Sequence, residues 1–156
     1  MTKSKKRTSE GKIKVLVVED DEDTVEFIVD YISRNFGSGS RGVRSMATAM
    51  DLIEEGKYRP DLVIHDCKPL RYDDDEVDSK QAGDDLYAFF VDEELPVVVL
   101  SGESEDEGIH WEPYRSDPPI AWFEKPLSRE SLPDGTSRLV QIDQAIDCYY
   151  EWKAQR

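Results

Sequence analysis

Short runs of apolar residues, each bounded by turn residues, recur along the chain. Four of them are clear, at 13–18, 62–64, 97–100 and 120–123, and a weaker one lies near Val43. Continuous apolar runs of this length are typical of strands that are buried on both faces of a sheet. The pattern therefore predicts five strands.

Helical patterns lie between these runs. The clearest one spaces its apolar residues by three and four, which puts them on one stripe: Val25, Ile28, Val29, Ile32 and Phe36. Further helices are predicted at 48–55, at 84–91 and, less regularly, after Ser104. The last predicted helix holds Leu139, Ile142, Ile146 and Tyr149.

The alternation of strands and helices defines the expected fold class. It predicts an α/β protein with a doubly wound, five-stranded parallel sheet and helices on both faces. In such sheets ligands bind in the crevice at the carboxyl ends of the strands. Functional side chains are therefore expected where the strands end.

The length of the chain limits the number of domains, and its net charge limits the expected partners. A chain of 156 residues is long enough for one domain of ordinary size. The formal net charge of −15 would repel a polyanion, so nucleic acid is not an expected partner. The segment 1–11 is basic and polar, which predicts a disordered tail before a folded domain at 12–156.

The sequence also bears on location. The apolar run at 15–18 is followed by Glu19, Asp20 and Asp21, so neither a signal peptide nor a membrane span is expected. The two cysteines, Cys67 and Cys148, do not indicate a disulfide framework. A cytoplasmic protein fits these features.

Charged and hydroxyl side chains close the predicted strands. Glu19 and Asp20 follow the first, Asp66 the third, Ser101 the fourth and Lys125 the fifth. Carboxylates held together repel one another unless a cation shares the site, so the cluster favours Mg²⁺ or a similar hard ion. The lysine and the serine could hold the oxygens of a phosphoryl group, which makes an aspartyl phosphate chemically sensible.

Four motifs at these strand ends resemble those of one family. They are Val-Leu-Val-Val-Glu-Asp-Asp at 15–21, Pro-Asp-Leu-Val-Ile-His-Asp at 60–66, Pro-Val-Val-Val-Leu-Ser-Gly at 96–102 and Phe-Glu-Lys-Pro-Leu at 123–127. In this order they resemble the receiver domains of two-component response regulators, which have a chemotaxis-regulator-like, flavodoxin-like fold. The resemblance extends over about 12–152.

The resemblance implies a phosphoacceptor and a metal site. Asp66 would be the phosphoacceptor. Glu19 and Asp20 would be the acidic pair that binds Mg²⁺ or Mn²⁺ together with Asp66, and Lys68 would lend its backbone carbonyl to the metal.

The resemblance also implies the groups that respond to phosphorylation. Lys125 would pair with the phosphoacceptor, and Ser101 would be the hydroxyl that follows the phosphoryl group. Trp122, three residues before Lys125, falls where the family often has an aromatic switch side chain. The face formed by the fourth helix, fifth strand and fifth helix would then change and contact a protein target.

The implied reaction is transfer of a phosphoryl group from a sensor histidine kinase or a histidine phosphotransfer protein, followed by hydrolysis. The protein would not be an enzyme beyond its own phosphorylation and dephosphorylation. Because the chain ends directly after the last predicted helix, we expect a stand-alone or output-less regulator. It could form a phosphorylation-dependent homodimer.

Two departures from the family pattern stand near the phosphoacceptor. Pro69 comes three residues after Asp66, where the family usually has four. Gly83 comes about twice as far along as usual, which indicates an acidic insertion around 71–81 that would overhang the site. The insertion lacks the EF-hand pattern, so calcium binding is not expected.

Two other functions remain open. The altered loop could leave a receiver fold that binds partners without being phosphorylated. Asp21, Asp23 and Val25, with the serine and lysine of the cluster, superficially resemble a haloacid-dehalogenase-type phosphatase, but Glu19 takes the place of the nucleophile there. His65 is expected to be packed, and Cys67 to fill space in the core.

Overall fold

Five parallel strands form one sheet in the computed structural model, which describes residues 12–156. They are β1 (Val15–Val18), β2 (Arg41–Val43), β3 (Leu62–His65), β4 (Val97–Ser101) and β5 (Ala121–Glu124). Their order in the sheet is β2-β1-β3-β4-β5. The prediction of a doubly wound parallel sheet is confirmed, whereas the basic tail predicted at 1–11 lies outside the described residues.

Within the described part of the chain, five helices accompany the strands. They are α1 (Glu22–Phe36), α2 (Met46–Glu54), α3 (Lys80–Asp92), α4 (Glu105–Gly108) and α5 (Val140–Ala154). The prediction that α3 begins at 84 is wrong by four residues. The helix begins earlier because the Ser79 side chain caps it, accepting a hydrogen bond from the backbone of Ala82.

The two faces of the sheet are covered by different helices. Val15 and Val17 of β1 lie in a core with α1 and α5, whereas Leu16 and Val18 lie in a core with α2 and α3. Successive side chains of a strand point to opposite faces. Because both faces are covered, every position of the strand is apolar, which explains the continuous runs in the sequence.

A β-hairpin between β5 and α5 was not predicted. It pairs β6 (Arg129–Ser131) with β7 (Ser137–Leu139) in antiparallel register. Leu139, which was predicted to lie in the last helix, instead ends β7. The Arg129 guanidinium lies 4.5 Å from the ring centroid of Phe27, so the hairpin packs against α1.

Two further features bear on the predictions of location. Among residues 12–156, none of the helices has the length and apolar character needed to cross a membrane. Both cysteines are free, with Cys67 buried and Cys148 half-buried.

Candidate functional site

Three carboxylates meet at the carboxyl ends of β1 and β3. Glu19 is 3% exposed and Asp66 is 7% exposed, and each follows its strand directly. The register of the two strands places their ends side by side, and the backbone N–H of Asp66 donates to the carbonyl of Val18 at 3.0 Å. One carboxylate oxygen from each of Glu19, Asp20 and Asp66 lies within 4.8 Å of the others. The structure thus brings the predicted acidic residues together.

Lys125 reaches this cluster from the end of β5. Its ammonium donates to the carboxylate of Glu19 and lies 3.4 Å from Oδ2 of Asp66. Its backbone N–H donates to the carbonyl of Ser101 at 2.8 Å, which ties the end of β5 to that of β4. Burial lowers the pKa of Lys125, but the charges of Asp66 and Glu19 outweigh burial and raise it overall. The ammonium therefore stays charged.

Two of the carboxylates, Glu19 and Asp66, are destabilised in their ionised forms. Burial raises the pKa of Glu19 to about 8, and the neighbouring Asp20 and Asp66 add to the shift. Burial also raises the pKa of Asp66, against the charge of Lys125 and the backbone N–H of Lys68, which lies 3.3 Å from Oδ1. One ammonium thus faces three carboxylates.

This donor set fits a hard divalent cation. Oxygen ligands from carboxylates are those that Mg²⁺ prefers, and the cluster has more negative charge than Lys125 can offset. A cation with two positive charges would offset the repulsion among these carboxylates.

Ser101 lies at the same edge of the sheet. It ends β4, the strand between β3 and β5, and its side chain is buried. Its Oγ accepts a hydrogen bond from the backbone N–H of Glu103 at 3.1 Å. The predicted hydroxyl is therefore in place on the adjacent strand, and it is engaged with the loop that follows.

Trp122 is buried in β5 and held on three sides. Its Nε1 donates to the backbone carbonyl of Glu103 at 3.0 Å. Its ring makes an edge contact with Tyr114 at 5.5 Å between centroids, and it lies so close to Gly108 that a Cβ atom there would overlap it. Trp122 therefore contacts the loop at Glu103, the helix α4 at Gly108 and the segment after α4 at Tyr114.

Sequence reasoning missed three side chains around the site. Lys68 was considered only for its carbonyl, yet its Nζ forms an ion pair with Oε1 of Glu103 at 3.0 Å. Tyr114 is fully buried and its hydroxyl lies 3.0 Å from Nε2 of His65. Neither Glu103 nor Tyr114 belongs to a motif, so no signal in the sequence marked them.

The acidic segment around 71–81 is anchored beside the start of α2. Asp73 accepts hydrogen bonds from Ser45 Oγ at 2.6 Å and from Thr48 Oγ1 at 2.8 Å. Leu70 forms a parallel bridge with Ser45. The last residues of the predicted insertion, from Lys80, already belong to α3. These contacts hold Asp73 against the start of α2, and the predicted position of the segment over the carboxylates stays a prediction.

His65 and Cys67, the neighbours of Asp66, are both buried. Burial lowers the pKa of His65 to about 3, so its imidazole is neutral. Burial raises the pKa of Cys67 to about 11, so its thiol is protonated. The expectation that both side chains are packed is met. Asp21 is exposed and its side chain caps α1 through Thr24. Its backbone N–H donates to Oε2 of Glu19 at 3.2 Å.

Comparisons with known proteins identify the fold. The sequence matches no protein-family model and no curated protein. Solved structures, however, match nearly the whole chain. The signal receiver domain of a LuxO repressor protein from Vibrio parahaemolyticus is 17% identical, with a TM-score of 0.65, over 92% of this chain and 95% of that one.

Two other structures agree with this result. The N-terminal domain of a response regulator/sensory box/GGDEF protein from Carboxydothermus hydrogenoformans is 20% identical, with a TM-score of 0.63, over 91% of this chain and 98% of that one. The phosphorylated cyanobacterial phytochrome response regulator RcpA is 18% identical, with a TM-score of 0.55, over 89% of each chain. The chain therefore has the receiver-domain fold.

Proposed function

We propose that this chain is a phosphoacceptor receiver domain of a two-component response regulator, in which Asp66 takes up the phosphoryl group. The observation that carries the proposal is the buried cluster of Glu19, Asp20 and Asp66 with the Lys125 ammonium, at the carboxyl edge of a sheet with the receiver-domain fold. The similar RcpA structure is described as phosphorylated, which is consistent with this chemistry on the fold.

The proposed donor is a phosphohistidine of a sensor kinase or phosphotransfer protein. A carboxylate oxygen of Asp66 forms a bond to phosphorus while the phosphorus–nitrogen bond breaks and its electron pair returns to the imidazole. In hydrolysis, water forms the new bond to phosphorus and the Asp66 carboxylate leaves. Such transfer requires mainly positioning and charge compensation. Lys125 supplies a positive charge in contact with the nucleophile.

The cation that fits the cluster is Mg²⁺ or Mn²⁺. Glu19, Asp20 and Asp66 would hold it with carboxylate oxygens, and Lys68 with its backbone carbonyl. When bound, the cation would neutralise negative charge on the phosphoryl oxygens. Ser101 would turn its hydroxyl toward the phosphoryl group.

The proposed output is contact with another protein. Trp122 lies in β5 and packs against Gly108 of α4, so a change at the site can reach the face formed by α4, β5 and α5. A downstream protein, or a second copy of the chain in a phosphorylation-dependent homodimer, would bind there. We further propose a basic tail at 1–11, a receiver domain at 12–156 with an acidic insertion around 71–81, and a place in cytoplasmic signalling.

Formation of a beryllofluoride adduct tests this function. Beryllofluoride mimics a phosphoryl group on a carboxylate, and fluorine NMR detects the bound species. We expect a Mg²⁺-dependent bound resonance in the wild type that is lost in Asp66→Asn. Asp92→Asn, an exposed aspartate at the end of α3, is the matched control and should keep the adduct.

Absence of the adduct from a folded wild-type protein would contradict the proposal. It would favour the alternative that the chain binds partners without being phosphorylated. Circular dichroism of each variant establishes that the fold is intact.

A further inference from the structure

One ion pair joins the two loops that leave the site. Lys68 lies two residues beyond Asp66 in the loop after β3, and Glu103 lies two residues beyond Ser101 in the loop after β4. Their side chains meet at 3.0 Å and are 39% and 28% exposed. The pair therefore bridges loops that carry the phosphoacceptor on one side and the responding hydroxyl on the other.

The backbone of Glu103 also forms hydrogen bonds with both predicted switch side chains. Its backbone N–H donates to Ser101 Oγ at 3.1 Å, and its carbonyl accepts from Trp122 Nε1 at 3.0 Å. Gly102 precedes it, and a Cβ atom there would meet nothing within 4 Å. The backbone of Glu103 thus contacts Ser101 and Trp122, and its side chain is held by Lys68.

Lys68 lies where a change of charge on Asp66 would act on it. Its backbone N–H donates to Asp66 Oδ1 at 3.3 Å. The Lys68 side chain therefore leaves the main chain next to the phosphoacceptor. Glu103, and more weakly Asp78 and Asp66, raise the pKa of its ammonium. A phosphoryl group carries more negative charge than one carboxylate and offers three strong acceptor oxygens. A partly exposed ion pair is weak enough to be exchanged for it.

We propose that Lys68 and Glu103 form a phosphoryl-sensitive latch, in which Lys68 leaves Glu103 for the phosphoryl oxygens on Asp66 and so releases the Trp122 anchor. The inference rests on the proposed function of Asp66 and adds a specific ion-pair exchange to it. When Ser101 also turns toward the phosphoryl group, Glu103 loses both its side-chain contact and its hydrogen bond to Oγ. The carbonyl that holds Trp122 is then free to shift.

The test follows Trp122 emission in a protein with a single tryptophan, made by Trp111→Phe and Trp152→Phe. In that background Lys68→Met and Glu103→Gln each break the ion pair. We expect both to move the emission of the unmodified protein toward that of the wild-type beryllofluoride adduct. The equilibrium should shift roughly fivefold, the size expected for a partly exposed ion pair. The further change on adduct formation should be correspondingly smaller.

Lys57→Met is the matched control, because it breaks an exposed ion pair with Glu55 of similar length, 2.9 Å, outside the site. It should leave the emission and its response unchanged. The latch is refuted if Lys68→Met and Glu103→Gln both keep wild-type emission and a full response while fluorine NMR shows the adduct. Absence of the adduct from the wild type would instead refute the proposed function of Asp66, and the latch with it.

Discussion

Replacing His65 by phenylalanine should change how stability depends on pH. The imidazole is fully buried, it lies 3.0 Å from the hydroxyl of Tyr114, and its ring packs against Tyr87 and Phe90. Burial lowers its pKa from the ordinary value of 6.5 to about 3. Between these two pH values, His65 therefore binds a proton in the unfolded chain but not in the folded protein.

The sign and size of the effect follow from linkage. Above pH 6.5 His65 is neutral in both states, so its stabilising contacts are present in full. As the pH falls from 6.5 toward 3, the unfolded chain binds a proton and the folded protein does not, so stability is lost. At about pH 5 the loss attributable to His65 is about 2 kcal/mol, since one unit of pKa corresponds to about 1.4 kcal/mol.

The loss of stability due to His65 can be measured by urea unfolding of the wild type and of His65→Phe at about pH 7.5 and about pH 5. The free energy of unfolding of the variant minus that of the wild type should be about 2 kcal/mol more positive at the lower pH. Carboxylates whose pKa is raised in the folded state, such as Glu19, act in the opposite direction, but they cancel in the comparison. His110→Asn removes the exposed histidine and should keep the wild-type dependence. Equal pH dependence of the wild type and His65→Phe would refute the reasoning.

Two further predictions concern packing. A Cβ atom on Gly83 would overlap the Cys67 carbonyl oxygen, so Gly83→Ala should lower the free energy of unfolding by about 1–3 kcal/mol. Gly102→Ala, in open space, should cost little, and equal losses in urea unfolding would contradict the packing argument. Asp73→Ala removes the acceptor of two hydroxyls at the start of α2 and should cost about 1 kcal/mol. It should also speed proteolysis within 71–81, and unchanged cleavage would show that the segment is held in another way.

The sheet could be predicted because its signal is strong and local. Three strands, β1, β3 and β4, are buried along their whole length, so each contains a continuous apolar run. The helix α1 shows a complete stripe of apolar residues. The hairpin of β6 and β7 was not predicted, because its strands are short and largely exposed and so contain no apolar run. A signal was present, since Pro133, Asp134 and Gly135 form a turn in which Gly135 has a φ of +88°.

The start of α3 was misplaced for a different reason. Acidic and polar residues around 71–81 suggested a long loop, and Gly83 is a poor helix former. The Ser79 cap and the close approach of Gly83 to the loop after β3 decide that the helix begins earlier. Such tertiary contacts leave no periodic trace in the sequence.

The cluster could be predicted because strand order alone brings its members together. Glu19, Asp66 and Lys125 each end a strand of one parallel sheet, so a shared edge follows from topology. The ion pair of Lys68 with Glu103 depends on how two loops turn, and the burial of Tyr114 depends on an irregular segment after α4. Neither is encoded in a pattern of hydrophobic and polar positions.

The most direct test of the central claim is the intact mass of the protein after incubation with Mg²⁺ and a small-molecule phosphodonor such as acetyl phosphate. The wild type should gain the mass of one phosphoryl group, and the gain should disappear without Mg²⁺ and in Asp66→Asn. A folded wild-type protein that gains no mass, or an Asp66→Asn protein that gains as much as the wild type, would contradict the assignment of Asp66 as the phosphoacceptor.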